Sequence, residues 1–162
     1  MKRTIVVTGS TRGIGLGLAQ AFARAGCQVV VNGRTCEAVG RALAAVSVAD
    51  RGDVLGVAAD VSDRDQAQQL WDATAARFGR VDVWINNAGL IAPRAPFHEL
   101  PFEAVRAVVD VGVAGTMACC HVALRGMLEQ RGGAIYNFEG FGSDDMMRPG
   151  LTAYGTSKRA LR

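Results

Sequence analysis

Aromatic residues make up only 6% of this 162-residue sequence, and neither sign of charge dominates. The 18 basic and 15 acidic side chains leave a formal net charge of +3. No run of basic residues accompanies that excess, so the charge pattern makes no case for a nucleic-acid partner. The apolar stretches are short and repeatedly broken, so no membrane span is expected. Behind Met1, Lys2 and Arg3 the apolar run is only Ile5, Val6 and Val7, too short for a secretory h-region. The 4 cysteines (Cys27, Cys36, Cys119 and Cys120) form no C-x-x-C pair, and the 2 histidines stand at no zinc-ligand spacing. Free thiols in a reducing, cytoplasmic protein without a metal site are the expectation. What the sequence does hold is 49% hydrophobic and 20% charged residues, a balance that excludes a disordered polyelectrolyte. Its length fits one domain, 1–162, able to bury about 68–70% of its unfolded surface.

Strand-like and helix-like blocks alternate along the chain. Residues 4–8 form a β-branched run. Across 13–25, Ile14, Leu18 and Phe22 recur at helical spacing, and Gly26 ends the block. A strand is expected at 29–31 and a helix at 35–46, with Thr35 as its N-cap. A weaker strand follows at 53–59. Ser62 and Asp65 resemble a capping box opening a helix with Ala67, Leu70, Trp71, Thr74 and Phe78 on one face. Further strands are expected at 81–85 and 134–138, with a long helix at 102–129 between them. A last helix starts near Leu151. This alternation predicts an α/β fold, a doubly wound parallel sheet of the Rossmann type with helices on both faces.

Gly9, Ser10, Thr11, Arg12, Gly13, Ile14 and Gly15 lie between the first strand and the first helix. Glycines there allow a sharp turn and close approach of a phosphate, and the helix N-terminus offers free N–H groups. A pyrophosphate is the natural occupant, although the spacing G-x-x-x-G-x-G differs from G-x-G-x-x-G. The second strand ends in Asn32, Gly33 and Arg34, without the acidic residue that would bind an adenosine ribose. Arg12 and Arg34 place positive charge where a 2′-phosphate would sit, which favours NADP over NAD. Tyr154 and Lys158 are one helical turn apart on one face. An ammonium beside a phenol favours the phenolate, which prepares it to exchange a proton with a carbonyl or alcohol oxygen.

The glycine loop, then Asp60 and Val61, then Asn86, Asn87, Ala88 and Gly89, then Tyr154 and Lys158, occur in order after successive strands. This series resembles the short-chain dehydrogenase/reductase family along nearly the whole chain. The resemblance implies NAD(P)-dependent hydride transfer on a small-molecule carbonyl or alcohol. It gives Tyr154 the acid/base role and sets Lys158 on the nicotinamide ribose. Asp60 and Val61 would meet the adenine, with Asn87, Ala88 and Gly89 at the floor of the cofactor site. It also implies a homo-oligomer formed through the long and last helices. Residues 132–144, with Cys119, Cys120, Met127, Leu128, Ala153, Gly155 and Arg159, look like the chlorophyll b reductases, whose substrate carries a formyl group on a chlorin.

Departures accompany the resemblance. The family's serine on the loop after the fifth strand is replaced by Glu139 and Gly140, which leaves Ser143 as the candidate to polarise the carbonyl. The helix asparagine of the family is Gly112. The resemblance implies two further strands and a lid after the last helix, and the sequence stops short of them at Leu161 and Arg162, as in a truncated reductase. An incomplete substrate pocket and an exposed fifth strand are therefore expected. A second reading, an NADP-binding module without turnover, stays open on these grounds, as does a purely structural subunit. His98 is a candidate for the substrate entrance, and His121 is expected to pack or face solvent. Glu139, Asp144 and Asp145 share one glycine-rich loop and are read as solvated acids.

Overall fold

A computed structural model describes residues 2–47, 53–144 and 146–162. Asp145 lies outside the described residues. Five strands form one parallel sheet: β1 (Thr4–Val7), β2 (Gln28–Gly33), β3 (Val54–Ala58), β4 (Val83–Asn86) and β5 (Ala134–Asn137). Their spatial order is β3-β2-β1-β4-β5. The helices are α1 (Gly13–Arg24), α2 (Cys36–Ser47), α3 (Arg64–Phe78), α4 (Phe102–Val109), α5 (Thr116–Glu129) and α6 (Thr152–Arg159).

Alternate residues of each strand face opposite layers. Val29 and Val31 pack toward α1 and α2, against Ala19, Ala23, Ala42 and Val46, while Ile5, Val7 and Ile85 pack against Leu18 and Phe22 of α1. Val6, Val30 and Trp84 face α3 and α5, against Leu70, Trp71, Val122 and Met127. The three-layer α/β/α sandwich expected from the alternating blocks is thus formed. Trp71 and Trp84 stack with centroids 6.1 Å apart. They leave no room beside them: a Cβ on Gly126 would lie 1.9 Å from the Trp71 ring.

Local details differ from the sequence pattern for identifiable reasons. β2 continues through Asn32 because that side chain is fully satisfied inside the sheet: Nδ2 donates to the carbonyls of Val57 (3.2 Å) and Ala59 (3.0 Å). The cap of α3 is Asp63 rather than Ser62. Asp63 Oδ1 accepts the N–H groups of Asp65 (2.9 Å) and Gln66 (3.2 Å), while Gln66 Nε2 returns to Oδ2. Ser62 bonds instead to Asp60 Oδ1 at 2.7 Å. Thr35 does cap α2, its Oγ1 accepting from the Ala38 N–H at 3.2 Å.

The helix expected over 102–129 is one continuous run, but a π-helical stretch, Asp110–Gly115, separates α4 from α5. Two glycines there permit close approaches. A Cβ on Gly112 would lie 3.2 Å from the Ser157 side chain, and one on Gly115 would lie 2.9 Å from the Val61 carbonyl oxygen. The run is long and apolar enough, by length and composition alone, to cross a membrane. In this fold Cys119, Val122, Ala123 and Met127 of its inner face are buried in the core. β5 stands at one end of the sheet, with Tyr136 57% exposed.

Candidate cofactor cleft and active site

The strand order reverses between β1 and β4, and a crevice opens beyond the carboxyl ends of such strands. Here it is a cleft of about 800 Å³, floored by the β1–α1 loop and the residues after β2, β3 and β4. Gly9 adopts φ +60°, and a Cβ on it would lie 2.7 Å from Ala88 Cα. A Cβ on Gly15 would lie 2.4 Å from Asn87 Nδ2. Both glycines are therefore demanded by close backbone approach rather than by flexibility. Asn87 ties the two loops together, with Nδ2 donating to the carbonyls of Thr8 (2.9 Å) and Gly9 (3.1 Å). Thr8 Oγ1 accepts the N–H groups of Asn87 (3.0 Å) and Ala88 (3.1 Å).

Gly9, Thr11, Arg12, Gly13, Ile14 and Gly15 line the cleft from one side, and Asn87, Ala88 and Gly89 from the other. Asn32, Arg34, Asp60 and Val61 complete it. Ser10 does not reach it. Its hydroxyl donates to the Val7 carbonyl (2.6 Å) and accepts the Asn32 N–H (2.9 Å), and its own N–H donates to the Asn32 carbonyl (2.8 Å). Ser10 therefore braces the loop from behind, a correction to its reading as a cofactor contact. Asn32 Oδ1 likewise accepts the Gly9 N–H at 3.2 Å and fixes the loop's height.

α1 has no acidic residue in its first turn, so its unpaired N–H groups and positive dipole end face the cleft without a competing carboxylate. The glycine turn, this helix end and the arginines after β1 and β2 fit a dinucleotide.

Tyr154 and Lys158 stand on α6, beyond the inner end of the cleft. Lys158 is 6% exposed, and its Nζ donates to the Phe138 carbonyl at 2.8 Å. Burial pushes its pKa below the ordinary lysine value. A Cβ on Gly89 would lie 3.7 Å from that ammonium, which places it against the cleft's inner wall. Nζ is 5.8 Å from the centre of the Tyr154 ring. The Tyr154 hydroxyl rests against Gly140, where a Cβ would lie 2.6 Å away. Ser143 is turned from this point: its Oγ donates to the Gly140 carbonyl at 2.8 Å. Its carbonyl accepts from Arg159 (2.7 Å) and Arg162 (3.0 Å), binding the loop to the end of α6.

Arg41 also lines the cleft, as do Gly33, Thr35 and Ala38. The sequence pattern assigned Arg41 and Ala38 no role and placed Gly33 and Thr35 only as strand end and helix cap, although Arg41 follows Arg34 by only seven residues. A second feature was not legible. Behind the floor, Trp84 Nε1 donates to Asn86 Oδ1 (2.9 Å), and Asn86 Nδ2 donates to Asn137 Oδ1 (2.8 Å) and Cys120 Sγ (3.2 Å). His98 is exposed in a short 3₁₀ turn, does not line the cleft, and lies 3.6 Å from Glu99. His121 is exposed on α5.

Fold and cleft together define a doubly wound α/β protein of the Rossmann type whose cleft fits a dinucleotide. The family model described as short chain dehydrogenase matches residues 3–162, and the chain belongs to that family. It is 38% identical over 159 residues to the chloroplastic chlorophyll(ide) b reductase NOL of Arabidopsis thaliana, covering 97% of this chain and 46% of that protein. The NOL protein of Oryza sativa subsp. japonica is 37% identical over 161 residues, at 97% and 47% coverage. The chain thus spans about half the length of these curated relatives. Among solved structures it superposes on an NAD+-bound xylitol dehydrogenase with a TM-score of 0.91 and 28% identity, covering 98% of this chain and 60% of that one. The expected cytoplasmic location is overturned, because these relatives are chloroplastic. Unpaired cysteines do not specify a compartment.

Proposed function

We propose that this chain takes NADP(H) and interconverts a carbonyl and an alcohol. The observation that carries this reading is one cleft with two arginines, Arg12 and Arg34, at the adenosine end and Lys158 with Tyr154 beyond the other. When bound, the dihydronicotinamide supplies the hydride. Tyr154 donates its hydroxyl proton to the carbonyl oxygen as the carbon is reduced, so the alcohol leaves with one hydride and one proton added. Lys158 holds a positive charge beside that phenol and offers its Nζ hydrogens to the ribose. Asn87, Ala88 and Gly89 set the depth at which the cofactor lies. Ser143 keeps the loop after β5 against α6 while Gly140 seats the Tyr154 hydroxyl.

The substrate class we propose is a formyl group on a large planar ring, as the chlorophyll(ide) b reductase relatives support. Exposed apolar side chains on the long helical run, Phe102, Met117, Leu124 and Leu128, support pairing of two copies through that face. One domain, 1–162, accounts for the continuous sheet.

The test is NADPH oxidation followed with a panel of aldehydes and ketones. Turnover that Tyr154→Phe lowers by about 100-fold or more, with NADPH binding unchanged, supports the reading. A second reading, an NADP-binding module without turnover, draws on Gly112 and Gly140 standing where side chains would assist the proton path. NADPH binding with no oxidation of any substrate in the panel selects it.

A further inference from the structure

The adenosine end of the cleft carries one cation more than the sequence motifs account for. Arg12 follows β1, Arg34 follows β2, and Arg41 reaches the same cleft from α2. Among the described residues neither Arg12 nor Arg34 forms an ion pair with a carboxylate. Arg41 differs, because its Nη1 pairs with Glu37 one turn earlier on the same helix. The two side chains are 68% and 82% exposed, so water and salt screen the pair and it holds weakly.

We infer that Arg41 is a third phosphate-recognising cation of the NADP site, masked by Glu37 in the free protein and released when the adenosine 2′-phosphate enters. The inference rests on the NADP reading proposed above and deepens it. A phosphate monoester carries nearly two charges and several strong acceptor oxygens, and a guanidinium binds it through paired hydrogen bonds. The exchange of one exposed carboxylate for such a group is favourable for Arg41. A 2′-hydroxyl offers no comparable gain, so NAD leaves the Glu37 pair in place. Glu37 and Arg41 together then set the cofactor ratio: Glu37 opposes the incoming phosphate through its charge, and Arg41 rewards it.

The full chain is titrated calorimetrically with adenosine 2′,5′-bisphosphate and with 5′-AMP, which differ by the 2′-phosphate and need no turnover. Arg41→Ala is expected to weaken the bisphosphate about tenfold, the loss of one charge-assisted contact, and to leave 5′-AMP within about twofold. Arg41→Lys restores part of the loss. Glu37→Gln strengthens the bisphosphate about threefold without changing 5′-AMP, and most of that gain disappears when Arg41→Ala is added. If Arg41→Ala weakens both ligands alike, or neither, while Arg34→Ala still acts on the bisphosphate alone, the role of Arg41 is overturned and the NADP reading survives. If Arg12→Ala and Arg34→Ala also fail to separate the two ligands, the NADP reading falls and the inference falls with it.

Discussion

Lys158 keeps an ammonium at a position only 6% exposed, and burial lowers its pKa from the ordinary 10.5. The folded value lies below the unfolded one, so between the two the unfolded chain binds the extra proton. Stability therefore rises with pH across that window. Lys158→Met removes the titrating group, and urea unfolding at stepped pH is expected to show a flatter rise toward pH 10.5 while turnover is lost. The thiols divide by the same physics. Burial, with a smaller contribution from Cys120, pushes Cys119 up to about 12, whereas Cys36 is exposed. A thiol-specific disulfide reagent at pH 8 is expected to modify Cys36 rapidly and Cys119 only in denaturant. At this scale the sequence told which residues face the cleft where motif spacing constrains the backbone, as at Gly9, Gly15, Asn87 and Gly89. It did not tell that Ser10 points inward or that Ser143 Oγ closes a turn. A hydroxyl's direction depends on which carbonyl of another strand or loop comes within reach, and that is settled only by the folded chain.

Among the elements, the strands and helices that alternate with clear period were all legible, because each buries one face or stripe. The π-helical stretch Asp110–Gly115 was not. It arises where a helix must lie against Val61 and α6 at once, a constraint imposed by residues distant in sequence. The cap of α3 was displaced by one residue, since Ser62 and Asp63 are both good caps and only the hydrogen bonds decide. Asp63→Ala is expected to lower the melting temperature. Bonds from the Gln66 side chain, then from backbone N–H groups, hold the Asp63 carboxyl below its usual range. Its contribution is therefore present above the unfolded carboxylate value and lost as pH falls through the lowered one. On α5, Gly126→Ala drives a methyl into the Trp71 ring and is expected to cost about 1–3 kcal/mol in denaturant unfolding, with a change in tryptophan emission.

Across the whole molecule, the cleft joins loops that follow β1, β2, β3 and β4, so a ligand there braces most of the sheet at once. NADPH at about 100 times its Kd is expected to add about 2.7 kcal/mol, seen as a rise in melting temperature that tracks ligand concentration. The strand order also separates neighbours in space from neighbours in sequence. β1 lies at the centre of the sheet, with β2 on one side and β4 on the other, and Thr4 donates its N–H to the Asp82 side chain across 78 positions. Val6 opposes Trp84 in the finished register.

During synthesis on the ribosome, then, the first strand emerges long before its second partner has been translated. One flank of that strand must wait, solvated or shielded by a chaperone, until β2, β3 and the helices between them have preceded β4 out of the exit tunnel.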